Sequence, residues 1–405
     1  MHIVIFNHYA GSPKMGMEYR PYYLAQEWIK NCHKVTIVAG TYSHIRTENK
    51  KIDKRFLFEN IDGIDYIWIN TVEYKGNGIK RIISMFQYIL GLYKLIPQLK
   101  KSNPDAVIAS STYPLDNYPA NKLAKKTKAQ FIYEVHDLWP LSPQLLGGYS
   151  KYHPFIMVMQ KAENFAYKHV DKVISILPCA EEHMKQHGLK DGKFYHVPNG
   201  IYLPEVSNPE PLNENILNQL PKDKKIIGYC GTFGIANALH NLVEVAKMVE
   251  KSHPDFFFAL VGKGPEKENL QKLIDKYELN NIKLFDAIPK KQVQSFLALC
   301  NTIIIIILND TGIYKYGISP NKIFDYMYSA RPIIQAVEAG NDIPRDANCG
   351  ITCATTPEAI KESLLKLDSL SVEDKIELGK NGHKYVLENH AYEVLANNFI
   401  QILEK

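Results

Sequence analysis

Cysteine is scarce in this sequence: six residues in 405, at Cys32, Cys179, Cys230, Cys300, Cys349 and Cys353, with no CxxC pair. Cys349 and Cys353 could share a helix face, but no histidine flanks them at zinc-ligand spacing. That excludes a disulfide framework or a zinc ribbon and leaves buried free thiols in a reducing compartment. No GxGxxG fingerprint is present, so a dinucleotide cofactor is not supported. The opening MHIVIFNHYAG has no basic segment leading into a long apolar stretch. No run approaches the roughly 18 apolar residues of a membrane span. The expectation is a cytoplasmic chain with no signal peptide. Internal repeats and low-complexity tracts are also lacking.

What is there is an ordinary globular composition, 45% hydrophobic and 22% charged. At about 100–200 residues per domain, the length predicts two or three domains. The net charge of +5 is unevenly spread: residues 1–200 carry 26 Lys and Arg against 17 Asp and Glu, the remainder 22 against 26. The front half is therefore +9 and the back half −4. A basic half is compatible with nucleic acid, an anionic membrane surface, phosphate-bearing ligands, or solvated charge with no partner at all.

Short apolar runs alternate with amphipathic stretches along the whole chain. Strands are predicted at 2–7, 34–39, 66–69, 106–110, 130–134, 172–176 and 194–197, then at 225–230, 256–261, 282–285, 302–308, 332–336 and 350–353. Several are continuously apolar, as parallel strands covered on both faces must be. Helical periodicity lies between them, for example at 22–31, 239–251 and 265–277. The series occurs twice, which predicts an α/β fold of two Rossmann-like, doubly wound parallel-sheet domains. The expected divisions are 1–200, 201–384 and a C-terminal helix 385–405 that returns to the first domain. Residues 198–224, with five prolines, read as a surface linker without an element of its own.

One helix stands apart. In residues 79–98, Lys80, Ser84, Gln87, Gly91, Lys94 and Gln98 draw a narrow polar stripe on an otherwise apolar cylinder. So wide an apolar arc is either buried by more than one sheet face or meets lipid. The nearby Lys75, Lys80, Arg81, Lys94, Lys100 and Lys101 favour an anionic surface in the second case.

Three segments carry chemistry. After the first strand, HYAGSPKMGMEYR forms a glycine-bearing turn into a helix, where backbone N–H groups favour anions. Gly16 suits close approach of a phosphate or sugar, with Glu18 and Arg20 lining the same edge or simply belonging to a capping turn. EVHDLWPLSP follows the 130–134 strand, so His136, Asp137 and Trp139 fall at the C-terminal sheet edge where such folds bind ligands. His136 can donate to a hydroxyl and Asp137 accept from one; a structural histidine is the competing reading. In GISPNKIFDYMYSARPII, Ser319 is the expected N-cap and Pro320 fits the first turn. Asn321 and Lys322 follow, and Lys322 beside a helix N-terminus makes a diphosphate site. Asp325, further along, can accept both hydroxyls of a ribose. The turns GYCGTF, with Gly231 and Thr232, and VGKGP, with Gly262, add glycines after two strands of the second half.

Taken together, HYAGSPKMGMEYRPYYLA, EVHDLWPLSP, GGYSKYHPF, VPNGI, VGKGP and SPNKIFDYM resemble, in order and over essentially the whole chain, the family-4 retaining glycosyltransferases of GT-B fold. The resemblance is to the fucosamine-transferase-like branch of bacterial O-antigen and capsule clusters. It implies two domains facing across a cleft, a nucleotide-diphosphate sugar held mainly by the second and an acceptor held mainly by the first. By that likeness Asp325 takes the ribose-binding position, His136 lies beside the transferred sugar, and Gly16 lies under the diphosphate. Family members commonly carry two glutamates around that helix; here Asp325 takes the second place and Gly317 the first. A lysine common after the first strand of the second domain is replaced by Asn237. Lys322 becomes the main cation for the diphosphate, with Arg20 or Arg331 as helpers.

The resemblance implies a UDP-sugar donor, an N-acetylated deoxysugar and an undecaprenyl-diphosphate-linked saccharide acceptor, with the basic domain facing the cytoplasmic side of the cell membrane. It also implies transfer with retention, the acceptor attacking from the leaving-group side while a phosphate oxygen takes its proton. No DxD is present, so no metal and no other cofactor is expected. The competing readings are a nucleotide-sugar 2-epimerase on the same fold, a basic nucleic-acid-binding protein, and a non-catalytic scaffold at the membrane. Dispersed lysines without an aromatic-basic motif argue against a nucleic acid partner.

Overall fold

The computed structural model describes residues 1–16, 19–76, 78–308 and 312–405. The chain forms two compact units: Met1–Pro198 together with Tyr392–Lys405, and Asn199–Ala391.

The first unit is built on an eight-stranded sheet of order β3-β4-β2-β1-β5-β6-β7-β8. Its strands are β1 (His2–Phe6), β2 (Lys34–Gly40), β3 (Phe56–Ile61), β4 (Ile64–Ile69), β5 (Ala106–Ala109), β6 (Gln130–Val135), β7 (Lys172–Ser175) and β8 (Phe194–His196). All neighbours are parallel except β3 and β4, a hairpin at the edge. The central strands are apolar on both faces because helices cover both; Ile3, Val4, Ile5 and Phe6 are at most 2% exposed. β3 escapes the apolar-run criterion because its side chains are only half covered, as an edge strand's are. The Tyr392–Glu404 helix closes this unit. Its Ala396 carbonyl accepts from Trp28 Nε1 at 3.0 Å, and Phe399 meets the Trp28 ring at 5.1 Å. Lys172 Nζ donates to the Ile402 carbonyl at 2.6 Å, satisfying an end that has no partner within the helix.

The second unit has a six-stranded, all-parallel sheet of order β11-β10-β9-β12-β13-β14. Its strands are β9 (Lys225–Thr232), β10 (Phe256–Lys263), β11 (Ile282–Phe285), β12 (Thr302–Ile306), β13 (Ile333–Ala336) and β14 (Gly350–Cys353). Both units wrap helices around a mostly or wholly parallel sheet, the α/β class expected from the alternation.

Two local expectations are corrected. Residues 198–224 are not a bare linker: they hold two four-residue helices, Leu203–Val206 and Glu214–Leu217. Val206, Leu212, Ile216 and Leu220 of this stretch are buried in the core of the second unit. Prolines interrupt the periodicity there, but spaced apolar residues still find cover. The apolar arc of the 79–98 helix is not wholly buried within the domain either. Within the Ile79–Lys101 helix Ser84 and Gly91 are buried, while Ile79, Ile83, Phe86 and Leu90, spaced four, three and four apart, are 76, 44, 48 and 59% exposed. The helix therefore turns one apolar line outward. Against the expectation that no stretch approaches a membrane span, this helix is long and apolar enough to cross one by length and composition alone, with half of its apolar stretch buried inside the unit.

Candidate functional site

In the second unit the chemistry gathers where β9 ends and the Asn321–Tyr328 helix begins. β9 and β10 pair to their last residues, Gly231 opposite Gly262 and Thr232 opposite Lys263. Gly262 is demanded by that pairing, since a Cβ there would lie 1.8 Å from the Gly231 carbonyl oxygen. Gly231 is small for another reason: a Cβ would meet Tyr229 Oη at 3.1 Å and Lys322 Nζ at 3.3 Å. Its bare Cα opens space beside the amine.

The helix is registered on β9 by Tyr326, whose hydroxyl donates to the Cys230 carbonyl at 2.9 Å and accepts from the Cys230 N–H at 3.1 Å. Lys322 lies in its first turn and Asp325 one turn later, so both reach the end of β9. Lys322 Nζ donates to Asn237 Oδ1 at 2.6 Å and to Tyr229 Oη at 3.0 Å. Both acceptors are neutral, and among the described residues no carboxylate pairs with this lysine. Burial pulls its pKa down to about 8. Asp325, 8% exposed, is gripped by Lys290 Nζ at 2.6 Å from each carboxylate oxygen. Burial opposes the charge on Lys290, but the Asp325 carboxylate outweighs it and raises the amine above its ordinary value. Burial likewise pushes the Cys230 thiol up to about 12, so it stays protonated.

Ser319 is not the N-cap. Pro320 occupies that position, without a side-chain cap. Ser319 Oγ accepts from the Asn199 N–H at 2.8 Å and its carbonyl from Asn199 Nδ2 at 2.7 Å, so its polar groups hold the preceding loop instead. Pro320 fixes φ where the chain enters the helix, and Asn321 is exposed at its start. Gly317 has φ +99°. A side chain is strained in that region, so this backbone conformation suits the glycine. Thr232 contributes its carbonyl, which accepts from Tyr229 Oη and from Asn237 Nδ2, locking the residues around Lys322 to one another.

In the first unit, β5 and β6 deliver a second polar group to the C-terminal sheet edge. His136 Nε2 lies 2.9 Å from Ser110 Oγ and 3.3 Å from Glu134 Oε2, and its side chain is 16% exposed. Ser110 Oγ donates to Glu134 Oε2 at 2.6 Å. Arg20, itself 4% exposed, donates to Glu134 Oε1 at 3.0 Å and to the Pro198 and Val197 carbonyls. Burial alone pushes the Glu134 carboxyl up, but the charges of Arg20 and His136 and the bonds from His136 and Ser110 hold it well below the usual range. Arg20 thus anchors the group from inside rather than lining an open edge.

Asp137 accepts from Ser142 Oγ and from the Leu138 N–H, capping the turn that follows; burial raises its pKa. Trp139 lines a groove of about 660 Å³ with Ile82, Met85, Leu146 and Phe155, and the Arg81 guanidinium lies 5.9 Å from its ring centre. Gly16, at φ +90°, pairs with Arg46; a Cβ there would meet Thr47 Oγ1 at 2.8 Å. Glu18 lies outside the described residues.

The groups that sequence reasoning missed are the partners. Lys290 precedes Asp325 by 35 residues in a separate segment, and no local pattern links them. Glu134 was findable, because it precedes His136 by two residues along an extended segment and shares its face.

In a parallel α/β sheet, a half-buried lysine and a buried carboxylate near the C-terminal edge stand where folds of this class bind their ligands. Comparison with known proteins gives the class a name. Residues 15–203 match Glycosyltransferase Family 4 and residues 213–385 match Glycosyl transferases group 1. The chain carries both domains and belongs to the glycosyltransferase enzymes, with the two-domain GT-B fold. It is 24% identical over 222 residues to the Escherichia coli colanic acid biosynthesis glycosyl transferase WcaI, covering 52% of this chain and 54% of that one. The chain thus spans about half the length of that curated relative. Sucrose-phosphate synthase of Thermosynechococcus elongatus superposes with a TM-score of 0.71 at 15% identity, over 100% of this chain and 98% of that one. Anabaena HepE, in complex with UDP and glucose, gives 0.68 at 12% identity, over 100% and 99%.

Proposed function

We propose that the protein transfers a sugar from a UDP-sugar to a lipid-linked saccharide in surface-polysaccharide synthesis, with retention of anomeric configuration and without a metal. The observation that carries this reading is Lys322: a half-buried amine with neutral partners, next to the opening left by Gly231 and one turn from Asp325. A diphosphate there gains a positive charge that needs no reorganisation, while Asp325 accepts from the ribose. The leaving diphosphate builds negative charge as the sugar bond breaks, so the same amine acts where the transition state needs it. His136, oriented by Ser110 and Glu134, is assigned to a hydroxyl of the transferred sugar, and Trp139 and Arg20 to the acceptor side and its support. UDP is the nucleotide of choice in view of the HepE complex.

The acceptor is proposed to be an undecaprenyl-diphosphate-linked saccharide and the sugar an N-acetylated deoxyhexosamine or hexosamine, as in the fucosamine-transferase-like branch. The first unit is then peripheral on the anionic inner face of the membrane. Supporting this are the outward line Ile79, Ile83, Phe86 and Leu90 and the exposed Lys80 and Lys94 on the same helix.

The test is a panel of nucleotide sugars with polyprenyl-diphosphate saccharide in anionic vesicles, read by UDP release and by NMR of the new glycosidic bond. Transfer from one donor with the anomer retained, in the presence of EDTA, is the expected result. Epimerised sugar in the absence of acceptor identifies the 2-epimerase instead. An inverted product, or turnover that stops with EDTA, overturns the mechanism.

A further inference from the structure

A second polar cluster lies in the first unit, on side chains that contribute nothing to the site above. The Pro154–His169 helix presents Gln160, Glu163 and Asn164; the short Glu181–Gln186 helix presents His183, with His187 at its C-cap. His183 and His187 are four residues apart, so their rings share one face, with centroids 4.6 Å apart. Glu163 is 1% exposed and His183 is 8% exposed. One donor atom from each of Glu163, His183 and His187 lies within 4.8 Å of the other two.

The geometry points to a divalent transition-metal site, of the zinc class, formed by Glu163, His183 and His187. Two imidazoles and a carboxylate are the nitrogen and oxygen donors that zinc accepts, at bonds of about 2.0–2.2 Å, with water completing a tetrahedron. Donor atoms in such a shell stand roughly 3.3 Å apart by that geometry. His183 Nε2 and Glu163 Oε1 already stand at 3.5 Å, and closing the rest requires side-chain shifts of about 1.5 Å or less.

The surroundings suit an ion. Glu163 is a buried carboxylate whose one ion-pair partner among the described residues is His183. Its other bonds come from neutral donors, Gln160 Nε2 at 2.7 Å and Tyr167 Oη at 3.2 Å. A buried carboxylate without a permanent cation is costly, and a divalent ion supplies the missing charge. Gln160 Nε2 and Asn164 Oδ1 each stand 3.0 Å from His187 Nδ1. With the Nδ1 proton donated to Asn164 Oδ1, the His187 Nε2 lone pair is the one open to an ion, and the ring is held in orientation. The ion would clamp two helices of the first unit together, a structural role separate from sugar transfer.

The test uses the full-length protein stripped with EDTA and dialysed against Zn2+, with metal content measured per chain, and against Co2+ for its visible spectrum. One equivalent is expected. At a hundredfold excess of Zn2+ over Kd, Tm should rise by about 5–10 °C. His187→Ala, at a half-buried position, should keep the fold by circular dichroism and lose the equivalent, the Tm rise and the Co2+ spectrum. Glu163→Gln should do the same where it folds. Absence of metal in the wild-type chain overturns the assignment. So does metal retained undiminished in His187→Ala, because surface histidines would then account for it.

Discussion

Removing the Lys322 amine is the sharpest perturbation of the proposed donor site. Nζ stands 2.6 Å from Asn237 Oδ1 and 3.0 Å from Tyr229 Oη, and burial lowers its pKa to about 8. In the free protein the charge is therefore poorly compensated, and an arriving diphosphate supplies its counter-charge. Loss of one preorganised donor to a developing oxyanion costs roughly 10²–10³ in kcat, or about 3–4 kcal/mol. Lys322→Met should show that loss in initial rates of UDP release, with the apparent fold unchanged because neutral Tyr229 and Asn237 can bond to water. The linkage has a definite sign. Below about pH 8 the amine is already protonated and UDP binds with full affinity. Above it, binding must take up a proton, so affinity falls by up to about tenfold per pH unit until the raised pKa of the complex is reached. Calorimetry across pH 7–10 reads both the decline and the proton uptake. The Lys322→Met variant should lack this component. A wild-type profile flat through pH 9.5, or a variant turning over at near-normal rate, refutes the assignment.

Two glycines one strand apart should respond differently to the same change. Gly262→Ala forces a Cβ against the Gly231 carbonyl and should destabilise the second unit severely in urea titration. Gly231→Ala meets only Tyr229 Oη and Lys322 Nζ, so it should keep the fold and weaken UDP binding. Asp325→Ala should raise the UDP Kd by about 10–100-fold, the loss of a hydrogen bond to a charged acceptor being about 1.5–3 kcal/mol; an unchanged Kd removes the ribose role. Glu134→Gln leaves buried Arg20 without its charge partner and should cost about 3–5 kcal/mol of stability. Because the folded pKa of Glu134 lies below its unfolded value, its stabilisation is complete above the ordinary carboxylate range and is lost as pH falls through the folded pKa. The variant should therefore show a shallower loss of stability on acidification than the wild-type chain.

Each of the thirteen apolar runs read from the sequence corresponds to a strand; the central strands are apolar throughout because both faces are buried, whereas the edge strands β8 and β14 are only partly covered. The fourteenth, β3, was missed because Glu59 and Asn60 break its apolar run, as its only partly covered side chains allow. The 198–224 stretch was misread for a related reason. Its prolines and asparagines mark turns, yet four apolar residues among them are enough to dock it on the core.

The sequence by itself determined what local pattern determines: the alternation, the parallel sheets, and the short polar motifs that follow strands. In a parallel α/β sheet such positions fall at the C-terminal edge, so His136 in the first unit, and Lys322 and Asp325 in the second, were legible as residues near the C-terminal edge of their own sheet. Tertiary structure alone decided who their partners are. Lys290 reaches Asp325 and Arg20 reaches Glu134 across long chain separations, and Ser319 turns from capping a helix to holding Asn199. The cysteines that are so few are split in the same way: their spacing pointed to buried free thiols, but packing leaves Cys32 and Cys179 exposed and buries Cys300 and Cys349, and only packing shows why Cys230, beside the proposed donor site, stays a protonated thiol. Burial and long-range contact set charge states, and neither is written in local spacing.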